Sequence, residues 1–219
     1  MPIPNPTPIY RILHIDNLSV CLNRRGIYAP NFTPDNGLNY RTIHNEDIQN
    51  HRRTMCLNCG PCGTVHDYVA FYFGYLSPML LQLKTGRVEG YTEGQEPLIY
   101  LVSTAQDISA VGVDFVFSDG HGIAAYTKWY DDLADLNKVD WNMVYQRYWS
   151  DNINDMDRQR RKQAEFLIHR FCDWKLICEI GVVNDKMQQR VEATMNAFPA
   201  SMRKPVRVQA QWYYQEVLR

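Results

Sequence analysis

Arg160 to Trp174, RRKQAEFLIHRFCDW, is the stretch on which the fold reading turns. Its centre, Gln163 to Ile168, reads as a strand. Successive side chains of a strand point to opposite faces, so Gln163 and Glu165 share one face and Ala164 and Phe166 the other. Two long polar side chains on one face of an otherwise apolar segment have two explanations. One is the solvent face of an edge strand. The other is a functional pair aimed into a cleft, in which case removing Glu165 should leave the fold intact.

The neighbours of this strand decide what surrounds such a cleft. Immediately before it, Ser150 to Arg161 (SDNINDMDRQRR) is polar and has no apolar period. It is either a solvated connection or a recognition loop that brings Arg158, Arg160 and Arg161 to the mouth of the site, where guanidinium groups hold phosphate or stack on a base. Met156 offers apolar contact there, and Tyr148 and Trp149 lie just upstream. Further strands are predicted over Ile9–His14, Asp67–Phe73, Leu98–Ser103, Asp114–Ser118, 176–183 and 206–209. Helices are predicted over Leu18–Arg25, 77–85, 107–111, 124–136, Trp141–Trp149 and Asp185–Phe198, with Ser77-Pro78 and Gly86 punctuating one of them. Residues 30–47 read as a long loop. Strands and helices mix without regular βαβ alternation, so the fold class is α+β in one domain, 1–219.

Composition narrows the function classes. The 219 residues carry a net charge of −1, so polyanion binding must rest on a local basic patch. Tyr is frequent at 14 residues, giving core material that doubles as stacking surface. No run of about 18 apolar residues is present, so no membrane span is expected. The start, MPIPNPTPIY, lacks a basic region followed by an apolar core, which points to the cytoplasm and, with it, to reduced thiols. Cys56, Cys59 and Cys62 form C-x2-C-x2-C, but no second cysteine pair follows; His51 and His66 are the only nearby candidates for a fourth ligand. The expectation is a Gly/Pro-rich turn with free thiols and no metal. Ile48–Arg53, with two arginines and His51, reads as a solvated face. His121, between two glycines after a strand, either faces a ligand or ends a turn. Arg11 and His14, on opposite faces of the first strand and ahead of a helix start, suit a pyrophosphate, or are a solvated arginine and a satisfied structural histidine.

Six ordered strings carry a family resemblance: NPTPIYRILHIDNL from Asn5, HDYVAFYFGYLSPML from His66, GQEPLIYLVSTAQ from Gly94, FVFSDGHG from Phe115, Tyr148-Trp149, and KQAEFL from Lys162. Together they resemble the DarT family, the DNA ADP-ribosyltransferase toxins of DarT–DarG toxin–antitoxin systems, in its thymidine-modifying branch. ADP-ribosyltransferases present a catalytic glutamate to the nicotinamide ribose of NAD from a polar pair spaced i, i+2. The resemblance implies an ADP-ribosyltransferase fold, a split mixed sheet flanked by helices around an NAD cleft. It implies Glu165 as catalytic glutamate and Arg52, with Arg53 its substitute, as the active arginine. It implies NAD contacts from Arg11, His14, Asn17, Tyr72 and His121. Single-stranded DNA is then the acceptor, met by Gln163, Tyr148, Trp149, Met156, Arg158 and Arg160. It further implies a bacterial, cytoplasmic, monomeric protein partnered by a macrodomain-type, DarG-like antitoxin. Two positions depart from the pattern. Arg11 stands where the family is expected to have His, and the cysteine loop replaces a Pro/Gly-rich one.

The chemistry implied is displacement at the ribose anomeric carbon with nicotinamide leaving. Glu165 would stabilise an oxocarbenium-like transition state. Gln163 would steer the acceptor, and Arg52 would stabilise the thymine anion or relay its proton. Two other readings remain: the same fold acting on RNA or protein, and a non-enzymatic nucleic-acid module built on the cysteine loop.

Overall fold

Strand pairing opens the molecule at one point, and the cleft follows from it. A computed structural model of the chain describes residues 1–215. Strand β1 (Pro8–His14) precedes helix α1 (Leu18–Asn23), β2 (Gly26–Tyr28), α2 (Glu46–Thr54), β3 (Tyr68–Tyr72), α3 (Pro78–Lys84) and β4 (Leu98–Thr104). Then come α4 (Ala105–Ala110), β5 (Phe115–Ser118), β6 (Trp129–Tyr130), α5 (Trp141–Val144), α6 (Arg158–Lys162) and β7 (Glu165–His169). The chain continues through β8 (Phe171–Asp173), β9 (Glu179–Val182), α7 (Asp185–Asn196) and β10 (Val206–Val208). Eight strands form one sheet in the order β10-β9-β4-β1-β3-β7-β5-β6, and β2 pairs with β8 apart from it. All neighbours run antiparallel except β9 and β10. β1 follows β4 from Pro8↔Thr104 to His14↔Leu98, yet meets β3 only at Tyr10↔Tyr72. Beyond that point β1 and β3 diverge, leaving a gap in the middle of the sheet.

One core cluster runs under both halves of the sheet, joining Ile9 and Leu101 to Phe71, Phe117 and Phe166, and a second covers the opposite face of β1 and β4. β4 is buried along nearly its whole length because both its faces are covered. On one face, Met187, Val191 and Met195 of α7, four residues apart, pack into the main cluster with Leu18, Leu22, Ile99 and Leu101. On the other, Trp212 and Tyr213 close a cluster with Tyr10, Tyr100, Leu80 and Leu83. Helix starts are satisfied as their sequences suggest: Ser77 Oγ accepts from Leu80 N at 3.3 Å and Asn184 Oδ1 from Met187 N at 2.9 Å. No helix among the described residues is long and apolar enough to cross a membrane.

Several predicted elements differ. The predicted helix over 124–136 is absent. Trp129 and Tyr130 pair with β5 instead, and Asp132 caps a 3-10 turn over Leu133–Lys138. The helix predicted over Trp141–Trp149 stops at Val144, because the buried Lys162 ammonium takes Val144 O at 2.6 Å, where a further turn would have supplied an N–H. Part of the Ser150–Arg161 segment, read as a solvated connection or a recognition loop, folds into α6. The predicted 176–183 strand shortens to β9, and β2 and β8, three residues each, had no period long enough to show.

Candidate active site

A cavity of about 510 Å³ fills the gap between β1 and β3, within the size range of small-molecule sites. Its walls include Arg11 and Asn17 after the β1 turn, Ala70 and Tyr72 of β3, Gln49 and Arg52 of α2, the segment from Tyr40 to Asn45, and His121, Gln163 and Glu165. Arg11 leans across the gap, donating from Nη1 to Ala70 O at 2.7 Å, and its buried Nε has no partner.

Glu165 and Arg52 meet at the heart of this cavity. Asn45 Oδ1 accepts from Ile48 N at 3.1 Å and starts α2, which places Gln49 and Arg52 one turn apart on one face. Arg52 donates from Nη1 to Glu165 Oε1 at 3.0 Å and from Nη2 to Oε2 at 2.8 Å, a bidentate pair. Gly122 N adds a third hydrogen bond to Oε1 at 3.0 Å, and Glu165 N donates to Ser118 Oγ at 3.0 Å. A Cβ at Gly122 would lie 3.0 Å from Glu165 Oε1, so any larger residue there would push the carboxylate aside by a few tenths of an ångström. Burial works to raise the Glu165 carboxyl, but Arg52, His121 and the Gly122 N–H hold it below the ordinary carboxylate value. Burial likewise disfavours the Arg52 cation, and Glu165 more than restores it, so Arg52 is pinned as a cation. His121 is pushed down by burial first and by Arg52, against an opposing pull from Glu165, and so favours the neutral imidazole.

The Gln163–Glu165 relation holds for a different reason than strand alternation. β7 begins at Glu165, and Gln163 is the residue closing α6, with φ −100° and ψ 26°. Both side chains line the cavity because a turn, and not a shared strand face, delivers them. Glu165 lines the cavity, yet it is 1% exposed and sits in a buried ion pair, so its removal would leave a buried cation unpaired and is expected to lower stability. Arg52 is buried, not part of a solvated face, whereas Arg53 is exposed and does not line the cavity. Tyr72 sits directly opposite Glu165 in the β3–β7 register.

Other predicted contacts fall elsewhere. His14 lies on the opposite face of β1 from Arg11, so it does not line the cavity; its Nδ1 accepts from Asp16 N at 3.2 Å, and its ring packs on Tyr91. Asn17 does line the cavity, but its amide is spent on Arg41, accepting from N at 2.6 Å and donating to O at 2.8 Å, which moors the 40–45 wall. Arg160 is turned inward, not toward a ligand. It binds Asp157 through Nε at 2.7 Å and Asp119 through Nη1 at 2.7 Å, and its carbonyl accepts from His121 N at 2.9 Å. Arg158 is spent on Tyr148 O at 2.7 Å and Ser150 O at 3.0 Å. Trp149 donates to Tyr214 Oη at 2.7 Å. Tyr148 and Met156 stand outside the cavity at 79% and 72% exposure, with Ile153 at 94%. Among the described residues no group of three or more His, Cys, Asp or Glu side chains is placed to share a metal.

Ser118, Gly122, Gln49 and His66 are site residues that sequence reasoning missed. His66 bonds Gln49 through Nε2 and Oε1 at 3.2 Å at the cavity wall. Gln49, three residues before Arg52 on a helix, carried a usable signal; Ser118 and Gly122 act through a hydroxyl and a backbone N–H that no motif spacing displays.

Residues 10–214 match the family model described as "ssDNA thymidine ADP-ribosyltransferase, DarT". The chain belongs to the DarT family. A DNA ADP-ribosyl transferase of Thermus sp. (strain 2.9) is 38% identical over 211 residues, 96% of this chain and 98% of that protein. The structure of Thermus sp. 2.9 DarT in complex with ADP-ribosylated ssDNA matches with a TM-score of 0.91 at 37% identity, covering 98% of this chain and 99% of that one. Thermus sp. 2.9 DarT in complex with NAD+ matches at 0.87 and 36% identity, over 97% and 100% of the two chains. The α+β architecture here is therefore the DarT ADP-ribosyltransferase fold.

Proposed function

We propose that this protein attaches ADP-ribose from NAD to a thymine base of single-stranded DNA, as the toxin of a toxin–antitoxin pair. The observation that carries the reading is the bidentate Arg52–Glu165 pair inside a cavity of about 510 Å³, in a chain that aligns over nearly its whole length with one DarT enzyme solved both with NAD+ and with ADP-ribosylated ssDNA. Residues 1–219 are read as one catalytic domain, which the single sheet drawing strands from Pro8 to Val208 supports.

Each role follows from charge and position. Arg11, with a donor to spare, serves the diphosphate of NAD. Tyr72, opposite Glu165, offers an aromatic wall beside the nicotinamide ribose. The bond between ribose C1′ and nicotinamide breaks, nicotinamide leaves neutral, and positive charge develops on the ribose. The Glu165 carboxylate, kept anionic by Arg52, stabilises that charge and accepts from the 2′-hydroxyl. Thymine N3 forms the new bond to C1′ and loses its proton. Because Arg52 is pinned as a cation, it stabilises the developing base anion and does not relay the proton. The neutral His121 imidazole, which lines the cavity beside Glu165 and Arg52, is the acceptor for that proton. Gln163 orients the base, and the exposed side chains of Tyr148 and Met156 stack on the strand. A single strand spares the cost of extruding the base from a duplex.

A DarG-like macrodomain antitoxin is the proposed partner, with the toxin a bacterial cytoplasmic monomer. The test is mass spectrometry of oligonucleotides after incubation with protein and NAD. Single strands containing thymine should gain one ADP-ribosyl group, whereas thymine-free strands and duplexes should not. Labelling confined to RNA or protein acceptors in parallel reactions would overturn the reading.

A further inference from the structure

The transfer chemistry leaves the cysteine hairpin unused. Cys56 and Thr64 form an antiparallel bridge, and Leu57 N donates to Gly63 O at 2.8 Å. At the tip, Cys59-Gly60-Pro61-Cys62 is a reverse turn closed by Cys62 N donating to Cys59 O at 3.1 Å. Such a turn keeps its end Cα atoms within about 7 Å, which overlaps the window of about 4.4–6.8 Å that a disulfide requires. The turn is bolted down on both sides. Gly60 N donates to Asp131 Oδ2 at 2.8 Å, and Tyr68 Oη donates to Cys62 O at 2.7 Å. Cys62, Cys56 and the distant Cys178 are exposed and Cys59 is half-buried, whereas Cys21 and Cys172 are buried.

We propose that Cys59 and Cys62 form a reversible intramolecular disulfide, a thiol redox site separate from the transfer cavity. The oxidant is a low-molecular-weight disulfide. The exposed Cys62 thiolate attacks one of its sulfurs, the external S–S bond breaks, and the first small thiol leaves and takes up the proton Cys62 lost. Cys59 Sγ then attacks Cys62 Sγ, displacing the second small thiol, which takes up the proton from Cys59. Two protein thiols are oxidised and one external disulfide is reduced to two thiols. The order follows from exposure and charge. Burial and then Asp131 raise the Cys59 thiol to about 11, so it attacks slowly, but it is also a poor leaving group, and the finished disulfide resists reopening. Cys56 sits at the hairpin base with its Sγ turned to Thr54 O at 3.7 Å, outside the turn that joins the other two. Disulfides of reducing compartments are transient and respond to redox state, which suits an exposed turn of this kind. The hairpin continues directly from α2, and Met55 and Cys59 pack on the cluster containing Leu167 of β7, so closing the bond braces the segment between Arg52 and the sheet.

The test equilibrates the full-length protein across a series of oxidised-to-reduced glutathione ratios, traps thiols with a maleimide and maps them by peptide mass spectrometry. Oxidation should join Cys59 to Cys62 and so remove those two alkylatable thiols, leave Cys56 and Cys178 outside any intramolecular bond, and reverse fully with dithiothreitol. Cys56→Ser should behave like the parent, and Cys59→Ser should leave Cys62 as a mixed disulfide with glutathione and form no intramolecular bond. Continued labelling of both cysteines across the whole series, or a bond that pairs Cys56 instead, would overturn the proposal. These outcomes are read from thiols alone and stand apart from whether the protein modifies DNA.

Discussion

Removing both members of the Arg52–Glu165 pair should cost the fold no more than removing one. The side chains are 10% and 1% exposed, and each is the other's only charged hydrogen-bond partner among the described residues. Breaking a buried ion pair by truncating one partner costs about 3–5 kcal/mol, because the survivor is left uncompensated. The cavity admits water to the survivor, so the lower end applies: about 3 kcal/mol each for Arg52→Met and Glu165→Gln. For a chain of this size that is a fall in Tm of about 6–12 °C for each single variant. Independent sites would give about 6 kcal/mol together. The double variant has no stranded charge and should melt no lower than either single, a coupling of about 3 kcal/mol. The sign with pH follows from the depressed Glu165 value. The stabilisation is present above the unfolded carboxyl value of about 4.3 and disappears as pH falls through the lower folded value. Urea or thermal melts of the four proteins check this. A strictly additive drop in the double variant would refute the reasoning, since it would mean the pair contributes nothing beyond two separate side chains. Oligonucleotide mass shifts measured alongside should show all three variants at least about a hundredfold down in transfer.

Three further outcomes are expected. Arg160→Met should cut the transfer rate about tenfold or more with little change in KM for NAD, and Arg160→Lys should not rescue it, since one ammonium cannot span both Asp119 and Asp157 in the fork that holds the His121–Gly122 turn; steady-state kinetics separate the two effects. Changing Tyr148, Ile153 and Met156 together to Ser should abolish DNA modification yet leave NAD cleavage by water within about threefold, as seen by nicotinamide release, because these exposed side chains lie outside the cavity. The pH profile of kcat/KM should be flat near neutrality and fall on the acid side, below the ordinary imidazole value of about 6.5, as His121 becomes protonated; in His121→Gln that limb should vanish and the plateau should drop.

The pattern of mixed strands and helices in this sequence determined an α+β protein, and the ordered strings from Asn5 to KQAEFL determined its family. Breakers such as Ser77-Pro78 and Gly86 were legible because they act on the backbone within a few residues. Helix 124–136 was misread because its apolar spacing suited a helix locally, while pairing of Trp129 with Ser118 on β5 decided the outcome from a distance. Local pattern did not show that β1 and β3 part after Tyr10↔Tyr72, which is what creates the cavity. Nor did it show that Arg52, on a stretch that reads as solvated, would be drawn 113 residues along the chain to Glu165. Arg160 looked free to meet DNA until Asp119 and Asp157 were placed around it. A side chain's type is written in the sequence, but whether its charge is free or already neutralised depends on which distant residue the fold sets within hydrogen-bond reach.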